Sequence, residues 1–180
     1  MMEAKYVELT SELQDHIPKT RVVTDPFRTA VWGVDASFYR MTPEVVITVE
    51  SEAEVQAVLE GCRRHRAPVT FRAAGTSLSG QGVTDAVLAR LGDGWSQVEI
   101  EDDGARIRLG PGVLGYRANQ ALAPYGRKIG PDPASINAAM IGGIAANNAS
   151  GMCCGTSQNS YRTLRSMRVL LADGTALDTG

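Results

Sequence analysis

The sharpest pattern of apolar positions lies between residues 45 and 71. A β-branched run at residues 45–49 predicts a strand. Ser51 and Glu54 then form a capping box, which predicts the start of a helix whose apolar face is spread over residues 55–62. A second short run at residues 69–71 completes a β-α-β unit, so we expect these two strands to be parallel and joined by a right-handed crossover.

Short apolar runs elsewhere in the chain predict further strands. They are expected at residues 87–91, 97–100, 105–109, 167–171 and 176–178. Acidic residues and a glycine separate the second run from the third, and an Ala-Asp-Gly turn separates the last two. These turn signals predict two antiparallel hairpins.

Two further helices are expected outside the β-α-β unit. One covers residues 6–16 near the start of the chain. The other has about ten residues, carries Tyr116, Asn119 and Leu122, and is expected to end near Tyr125 and Gly126.

Together these elements predict an α+β fold with two lobes. Residues 1–42 are expected to form an N-terminal arm, residues 43–91 a small parallel β-α-β lobe, and residues 92–180 a second, mainly antiparallel lobe. Because the last predicted strand has neither a neighbour nor a cap after it, we expect the second lobe to be incomplete at its C-terminal end.

Composition excludes several classes of function. The 180 residues carry a formal net charge of −2 without blocks of like charge, so we expect no nucleic-acid partner. The basic residues 63–66 are interpreted as a solvated helix end. Neither a signal peptide nor a transmembrane segment is apparent, which predicts a cytoplasmic protein.

Three cysteines give no metal-binding or disulfide pattern. Cys62 falls on the apolar face of the predicted helix and is expected in the core, whereas Cys153 and Cys154 are adjacent and lack further ligands nearby. We therefore expect no metal site.

The stretch GTSLSGQG, residues 75–82, is the first candidate for ligand binding. Its glycine spacing is that of the P-loop of nucleoside triphosphatases, but Gln81 and Gly82 stand where that motif needs a lysine and a serine or threonine. Glycines that permit tight turns still allow a cradle of backbone N–H groups. Such a cradle suits a pyrophosphate that is bound but not cleaved, and its place after a strand of the β-α-β unit is where open α/β sheets bind ligands.

Residues 110–115, GPGVLG, fit the dinucleotide fingerprint letter by letter. However, the preceding strand belongs to a hairpin and Pro111 removes one N–H donor. A strand-to-helix turn is the preferred interpretation.

A long stretch of small residues, 130–164, is the third candidate. Its Gly and Ala residues permit close approach of the backbone to an extended ligand, and its many Asn and Ser residues offer neutral hydrogen bonds. A tightly packed Gly/Ala core segment explains the composition equally well. No residue of the chain is interpreted as a reacting group, because His16 and His65 lie in helical surroundings away from every candidate nucleophile. The catalytic residues are therefore unknown.

Two of these stretches and the end of the chain resemble a known family. The segments PVTFRAAGTSLSGQG (68–82), GPDPASINAAMIGGIAANNASG (130–151) and VLLADGTALDTG (169–180) are similar to the FAD-binding domain of the vanillyl-alcohol oxidase and p-cresol methylhydroxylase superfamily. The greatest similarity is to FAD-dependent D-2-hydroxy-acid dehydrogenases, such as D-lactate dehydrogenase and the glycolate oxidase flavin subunit. The stretch at 147–164 resembles long members that carry a C-terminal iron–sulfur domain.

The resemblance implies a set of cofactor-binding residues. The pyrophosphate of FAD would be wrapped by Arg72, Ala73, Ala74, Gly75, Thr76, Ser77, Leu78, Ser79 and Gln81. The rest of the cofactor would be lined by Pro131, Asp132, Ser135, Ile141, Gly142, Gly143, Ala146, Asn148, Ser150 and Gly151. Since the histidine that holds a covalent flavin in some members is not found in the first loop, FAD is expected to be non-covalent.

The resemblance also implies a function for the parent protein. It would oxidise a D-2-hydroxy acid, similar to D-lactate, to the 2-oxo acid and pass electrons to an acceptor, with an iron–sulfur cluster in the C-terminal part of long members. Family members continue well beyond the length of this chain, so we expect the 180 residues to be inactive without that continuation. The alternative is a non-catalytic module that binds FAD or an adenine nucleotide.

Overall fold

The computed structural model describes residues 2–180, which divide into two compact units. The first unit contains residues 2–92 together with Arg168–Thr179. The second contains Asp93–Met167. The first unit therefore includes both the N-terminal residues and the C-terminal hairpin.

A four-stranded sheet forms the centre of the first unit. Its strands are β1 (Val22–Val23), β2 (Val45–Val49), β3 (Val69–Arg72) and β4 (Val87–Leu91). Their order is β1-β2-β4-β3, in which β4 is parallel to both of its neighbours and β1 is antiparallel to β2. The strands of the predicted β-α-β unit are thus parallel, as expected, but β4 is inserted between them.

The core of this unit lies around β2 and β4. Every residue of β2 except Thr48 is buried, and so are the first three residues of β4. This is the burial expected for central parallel strands, which are covered on both faces and therefore consist of nearly continuous apolar runs. Helix α1 (Ala4–Leu13) contributes its fully buried Leu9 and Leu13 to the core.

Helix α3 (Glu52–Arg64) begins at the predicted cap. The Ser51 hydroxyl accepts a hydrogen bond from the Glu54 N–H at 3.3 Å. The Glu54 carboxylate accepts from the Glu50 N–H at 2.7 Å and forms a two-pronged ion pair with Arg21, in which both N–O distances are 2.7 Å. Burial opposes ionisation of Glu54, but these hydrogen bonds outweigh it and lower its pKa. The cap therefore also attaches the segment before β1 to α3.

The basic end of α3 is exposed at Arg63, Arg64 and Arg66, as predicted, but it also pairs with acidic side chains. Arg64 donates to Glu12 at 2.9 Å and to Glu60 at 2.7 Å, and the His65 Nε2 atom lies 2.9 Å from the other Glu12 oxygen. Helix α1 supplies Glu12. These residues therefore connect two helices, an arrangement that the local sequence of α3 could not indicate.

The second unit contains one hairpin and three helices among its described residues. Strands β5 (Val98–Glu101) and β6 (Arg106–Leu109) are antiparallel, as predicted. Helix α4 (Gly115–Leu122) is followed by a short 3-10 turn and by Gly126 in the left-handed region, at φ 67°. Helices α5 (Ile141–Ala146) and α6 (Ser160–Thr163) interrupt the small-residue stretch and were not expected.

The second predicted hairpin joins the first unit. Strands β7 (Arg168–Leu170) and β8 (Ala176–Asp178) are antiparallel. The hairpin is attached to α3 where Arg168 pairs with Glu52 at 2.9 Å and where the Gln56 side chain donates to the Gly174 carbonyl at 2.9 Å. The remaining helix of this unit, α2 (Pro26–Ala30), is capped by Asp25.

The α+β fold with a parallel sheet and antiparallel hairpins is therefore as predicted. Among the helices of residues 2–180, none has the length and apolar character needed to cross a membrane.

Candidate cofactor-binding site

The phosphate loop, residues 73–82, follows β3 and precedes β4. It therefore begins at the carboxyl end of a parallel strand, where open α/β sheets bind ligands. Gly75 and Gly80 adopt left-handed backbone angles, at φ 72° and 73°. Glycine adopts these angles without the steric cost of a side chain. The loop thus has the tight turns that its glycine spacing predicts.

Hydrogen bonds within the loop are centred on Ser77. Its hydroxyl accepts from the N–H groups of Ser79 and Gln81, at 3.1 and 3.2 Å, and it lies 3.2 Å from the Gln81 side-chain oxygen. Within residues 2–180, the N–H groups from Gly75 to Leu78 meet no acceptor. Successive unpaired N–H groups in a turn form an anion-binding concavity. The loop therefore fits a phosphate-bearing ligand such as the pyrophosphate of FAD.

Arg72, the last residue of β3, lies beneath this loop. Its Nη1 atom donates to the carbonyls of Val34 and Trp32, at 2.8 and 3.1 Å, and more weakly to that of Gly82 at 3.4 Å. A Cβ atom at Gly75 would lie only 2.6 Å from the guanidinium carbon. Burial lowers the pKa of Arg72, although Asp35 opposes this effect. The Nη1 atom of Arg72 thus holds backbone carbonyls of two segments, those of residues 32 and 34 and that of residue 82.

A second segment, which we call the bracing loop (residues 32–41), holds the phosphate loop from outside the β-α-β unit. The Ala36 N–H donates to the Gly75 carbonyl at 3.0 Å, and the Gly82 N–H donates to Asp35 at 3.3 Å. Asp35 also accepts from the Ser37 N–H at 2.8 Å. Burial raises the pKa of Asp35, but these hydrogen bonds and the Arg72 charge outweigh it and hold the pKa below its usual value.

Sequence reasoning did not identify the bracing loop. The only local signal is the Asp-x-Ser spacing of Asp35 and Ser37, which is typical of a turn in which an Asp side chain accepts a backbone N–H two residues later. Its partner Gly82 is distant in sequence, so no local pattern could have revealed this contact.

In the second unit, the small-residue stretch packs against residues 110–115. The Gly142 N–H donates to the Pro111 carbonyl at 2.9 Å, the Ile141 N–H to that of Val113 at 2.8 Å, and the Gly115 N–H to that of Ala139 at 3.0 Å. Residues 110–115 connect β6 to α4, which confirms the strand-to-helix interpretation. The carbonyls of Pro111 and Val113 thus hold this connection against the start of α5.

Gly151 allows a close backbone approach in the same unit. A Cβ atom there would overlap the Asp132 carbonyl oxygen, so the two segments can meet only at a glycine. Next to this crossing, the Gly151 N–H donates to the Cys154 sulfur at 3.2 Å, and this hydrogen bond lowers the pKa of the thiol. Lys128 pairs with the Asp132 carboxylate at 2.9 Å.

Several polar side chains of this stretch are engaged internally. Asn148 has a left-handed backbone at φ 47°, and its side-chain oxygen accepts from the Tyr161 N–H at 3.2 Å. Ser150 donates to the Asn148 carbonyl at 2.9 Å, and Asn159 caps α6. These bonds favour the packed-segment interpretation for Asn148, Ser150 and Asn159. The N–H groups of Ile141 and Gly142 at the start of α5 are also engaged, since they donate to the carbonyls of Val113 and Pro111.

The expected site residues thus form two groups, each compact within its own unit. The residues from Arg72 to Gln81 lie at the carboxyl end of β3 in the first unit, and those from Pro131 to Gly151 lie around α5 in the second. Also in the second unit, an open polar depression of about 490 Å³ is lined by Thr156, Ser157, Asn159 and Arg162. In residues 2–180, His, Cys, Asp and Glu side chains form no cluster of three or more that could hold a metal ion.

Comparison with known proteins shows the family to which this chain belongs. Residues 43–180 match the FAD binding domain family. The glycolate oxidase subunit GlcD of Escherichia coli K12 is 34% identical over 93% of this chain. The D-2-hydroxyglutarate dehydrogenase of the same strain is 27% identical over 82%, and the D-lactate dehydrogenase of Archaeoglobus fulgidus is 29% identical over 76%.

The chain spans only part of these relatives. It covers 34% of GlcD, 15% of the D-2-hydroxyglutarate dehydrogenase and 31% of the D-lactate dehydrogenase. Each of these relatives is therefore more than twice the length of this chain.

Solved structures show the same fold at lower identity. An alkyldihydroxyacetonephosphate synthase superposes with a TM-score of 0.83 at 15% identity, over 97% of this chain and 35% of its own. A substrate-bound p-cresol methylhydroxylase superposes with a TM-score of 0.78 at 16% identity, over 99% and 36%. These structures share the fold that the resemblance implies. The chain belongs to the FAD binding domain family, as the match over residues 43–180 shows.

Proposed function

We propose that this chain holds FAD non-covalently for a flavin-dependent dehydrogenase of D-2-hydroxy acids. The observation that carries the proposal is the row of unpaired N–H groups from Gly75 to Leu78 at the carboxyl end of β3. Family membership makes FAD the cofactor. A diphosphate is the part of FAD that such donors suit.

The phosphate loop would hold the pyrophosphate through its backbone. Because the Ser77 hydroxyl is occupied within the loop, its role is to fix the shape of the turn and not to bind the ligand directly. The Arg72 charge lies beneath Gly75, where it would stabilise a bound dianion without necessarily contacting it. That Ile141, Gly142 and Gly143 line the rest of the cofactor stays a prediction from the family resemblance.

The proposed substrate class follows from the relatives. Their names record action on glycolate, D-lactate and D-2-hydroxyglutarate, which share a hydroxyl on the carbon next to a carboxylate. When bound, FAD would accept the two electrons that are released as this alcohol becomes a carbonyl. The part played by this chain is to bind and orient the cofactor, and we assign no catalytic acid or base to it.

Titration of the purified protein with FAD, riboflavin and ADP tests the binding proposal. FAD and ADP carry a diphosphate and riboflavin does not, so FAD and ADP are expected to bind and to compete with each other, whereas riboflavin is expected to bind far more weakly. Equal affinity for FAD and riboflavin would place recognition elsewhere than the phosphate loop. Lack of FAD binding would contradict the proposal.

Turnover of the parent protein tests the proposed reaction. Reduction of an electron-accepting dye would be followed with D-lactate, glycolate and D-2-hydroxyglutarate as substrates and with L-lactate as the stereochemical control. Activity with at least one of the first three and little with L-lactate is expected. Tight FAD binding without turnover of any 2-hydroxy acid would favour the non-catalytic binding module instead.

A further inference from the structure

We propose that Asp35 is a positioning residue for the cofactor: it holds the phosphate loop in the shape that receives the pyrophosphate, without contacting the ligand itself. This inference rests on the proposed FAD-binding function. It assigns a role to a residue outside the β-α-β unit and outside every sequence motif considered above.

The bracing loop contacts each glycine of the phosphate loop. The Ala36 N–H donates to the Gly75 carbonyl at 3.0 Å, and the Asp35 carboxylate accepts from the Gly82 N–H at 3.3 Å. Between them, the Tyr39 ring lies so close to Gly80 that a Cβ atom there would be 2.7 Å from the ring. The two ends and the second turn of the phosphate loop are therefore all held by one segment.

The bracing loop is itself closed by short-range bonds. The Met41 N–H donates to the Gly33 carbonyl at 3.0 Å, and a β-bridge pairs Val34 with Arg40. Inside this closure, the Tyr39 N–H donates to the Ser37 hydroxyl at 3.1 Å. The bracing loop thus has a defined conformation of its own and can fix the position of the phosphate-loop residues to which it is bonded.

Asp35 is the residue that joins the two loops through its side chain. One carboxylate oxygen accepts from the Ser37 N–H within the bracing loop, at 2.8 Å, and the other accepts from Gly82 in the phosphate loop. A carboxylate accepts at both oxygens, whereas an asparagine offers one oxygen and presents an NH₂ group to the other donor. Replacement by asparagine therefore breaks one of the two bonds.

The negative charge of Asp35 also matters, because it interacts favourably with the positive charge of Arg72. The charge of Asp35 favours the charged form of Arg72, whereas that of Arg90 opposes it. The guanidinium carbons of Arg72 and Arg90 lie 5.6 and 4.4 Å from the centre of the Trp32 ring. Removal of the Asp35 charge leaves Arg72 next to the charge of Arg90 without this compensating anion. Arg72 would then be expected to shift beneath Gly75, where it supports the phosphate loop.

The decisive comparison is Asp35→Asn against Asp25→Asn in the purified protein. Asp25 is a matched control because it, like Asp35, accepts a hydrogen bond from a nearby backbone N–H, in this case that of Arg28. Asp25 caps α2, and asparagine fills that role equally well. We expect Asp35→Asn to raise the FAD dissociation constant about ten-fold or more, to raise that of ADP by a similar factor, and to leave the number of binding sites unchanged. Asp25→Asn should stay within about two-fold of the unsubstituted protein.

The stoichiometry separates positioning from folding. A residue that serves only to fold the protein would lower the fraction of competent molecules and leave the dissociation constant of the rest unchanged, which would overturn the inference. Unchanged FAD binding in Asp35→Asn would also overturn it. Lack of FAD binding by the unsubstituted protein would instead be a failure of the proposed function.

A second variant keeps the test decisive if Asp35→Asn does not fold. Tyr39→Ala removes the ring that lies against Gly80, and Tyr39 is 49% exposed, so the variant is compatible with folding. A rise in the FAD dissociation constant, with faster hydrogen exchange at residues 75–82 and unchanged exchange in β2 and β4, would support the bracing role. An unchanged dissociation constant would contradict it.

Discussion

At the scale of single residues, the glycines of the phosphate loop combine two constraints. Gly75 needs glycine both for its left-handed backbone and for the close approach of the Arg72 guanidinium. Gly174, in the turn of the C-terminal hairpin, shares the left-handed backbone, at φ 85°, but has open space around the position of a Cβ atom. The two glycines therefore allow conformational strain and steric overlap to be measured separately.

We predict that Gly75→Ala weakens FAD binding about ten-fold or more, whereas Gly174→Ala leaves it within about two-fold. Both changes should lower the free energy of unfolding by about 1–2 kcal/mol, because alanine is strained in the left-handed region. Only the alanine at position 75 would also displace Arg72. Fluorescence titration with FAD and denaturant unfolding measure the two effects, and equal FAD affinity in the two variants would contradict the prediction.

The cysteines are expected to differ in reactivity. Cys62 is buried and its burial raises the pKa of the thiol to about 12, so it carries almost no thiolate near neutral pH. Cys153 is exposed. We predict that iodoacetamide at mildly alkaline pH labels Cys153 in the folded protein and Cys62 only after denaturation, as followed by peptide mass spectrometry. A Cys153→Ser variant should lose the early label, and equally rapid labelling of Cys62 in the folded state would be inconsistent with its burial.

Residue roles could be predicted only where the partner is close in sequence. Ser51 was identified as a helix cap because its acceptor role involves Glu54, three positions away. Asp35 was not identified because its second partner, Gly82, is brought to it by the fold. The same reason hid the role of Asn148 as an acceptor for the Tyr161 N–H, 13 positions away. Asn159 was missed although its partner Arg162 is three positions away, because helix α6 itself was not expected.

At the scale of elements, the start of α3 has an electrostatic role as well as a capping role. The Glu54 carboxylate holds Arg21 and the Glu50 N–H together. Its lowered pKa means that the folded protein binds the proton less readily than the unfolded chain. The ionised carboxylate therefore adds stability at neutral pH, and this contribution is lost as the pH falls through the folded-state pKa.

We predict that Glu54→Gln lowers the free energy of unfolding by about 1–3 kcal/mol at neutral pH, because it removes charge-assisted hydrogen bonds of a largely buried carboxylate. The difference from the unsubstituted protein should shrink as the pH falls below roughly 4.3. Glu60→Gln is the control, since its pair with Arg64 is exposed and is expected to contribute less than about 1 kcal/mol. A pH-independent difference would rule out the electrostatic explanation.

Elements with strong periodicity were predicted with nearly correct bounds, and others were not. Residues 87–91 form β4 as expected, because the strand begins with a short run of buried apolar residues that indicates a central strand. Its position between β2 and β3 was not predicted, since strand order depends on contacts that no local pattern records. Helix α5 was missed because Gly142 and Gly143 disfavour a helix, and it is instead stabilised by contacts with residues 110–115.

At the scale of the whole molecule, stability is expected to be distributed unevenly. The buried strands β2 and β4 form the centre of the four-stranded sheet, whereas the hairpin of β7 and β8 is largely exposed. That hairpin is attached to α3 by solvent-accessible groups, including the pair of Arg168 with Glu52. Surface pairs of this kind contribute little.

We predict that hydrogen exchange is slowest in β2 and β4 and fastest in β7 and β8. Buried sheet amides open only in global unfolding, whereas exposed hairpins open locally. Exchange followed by mass spectrometry at peptide resolution measures the contrast. Protection of β7 and β8 equal to that of the central strands would indicate that the hairpin is an integral part of the cooperative unit.

The path of the chain from β3 to β4 has a consequence for how such a site can vary among proteins. Neighbouring parallel strands require a return connection of about a dozen residues or more, which is usually a helix. Here residues 73–86 make that return without a helix, and the phosphate loop occupies most of it. A deletion in this segment would therefore shorten the connection and disrupt the pairing of β4 with its neighbours, whatever its effect on ligand preference. Divergence of ligand preference at this position is consequently expected to proceed by substitution at constant length, and differences in loop length should accumulate in other connections of the chain.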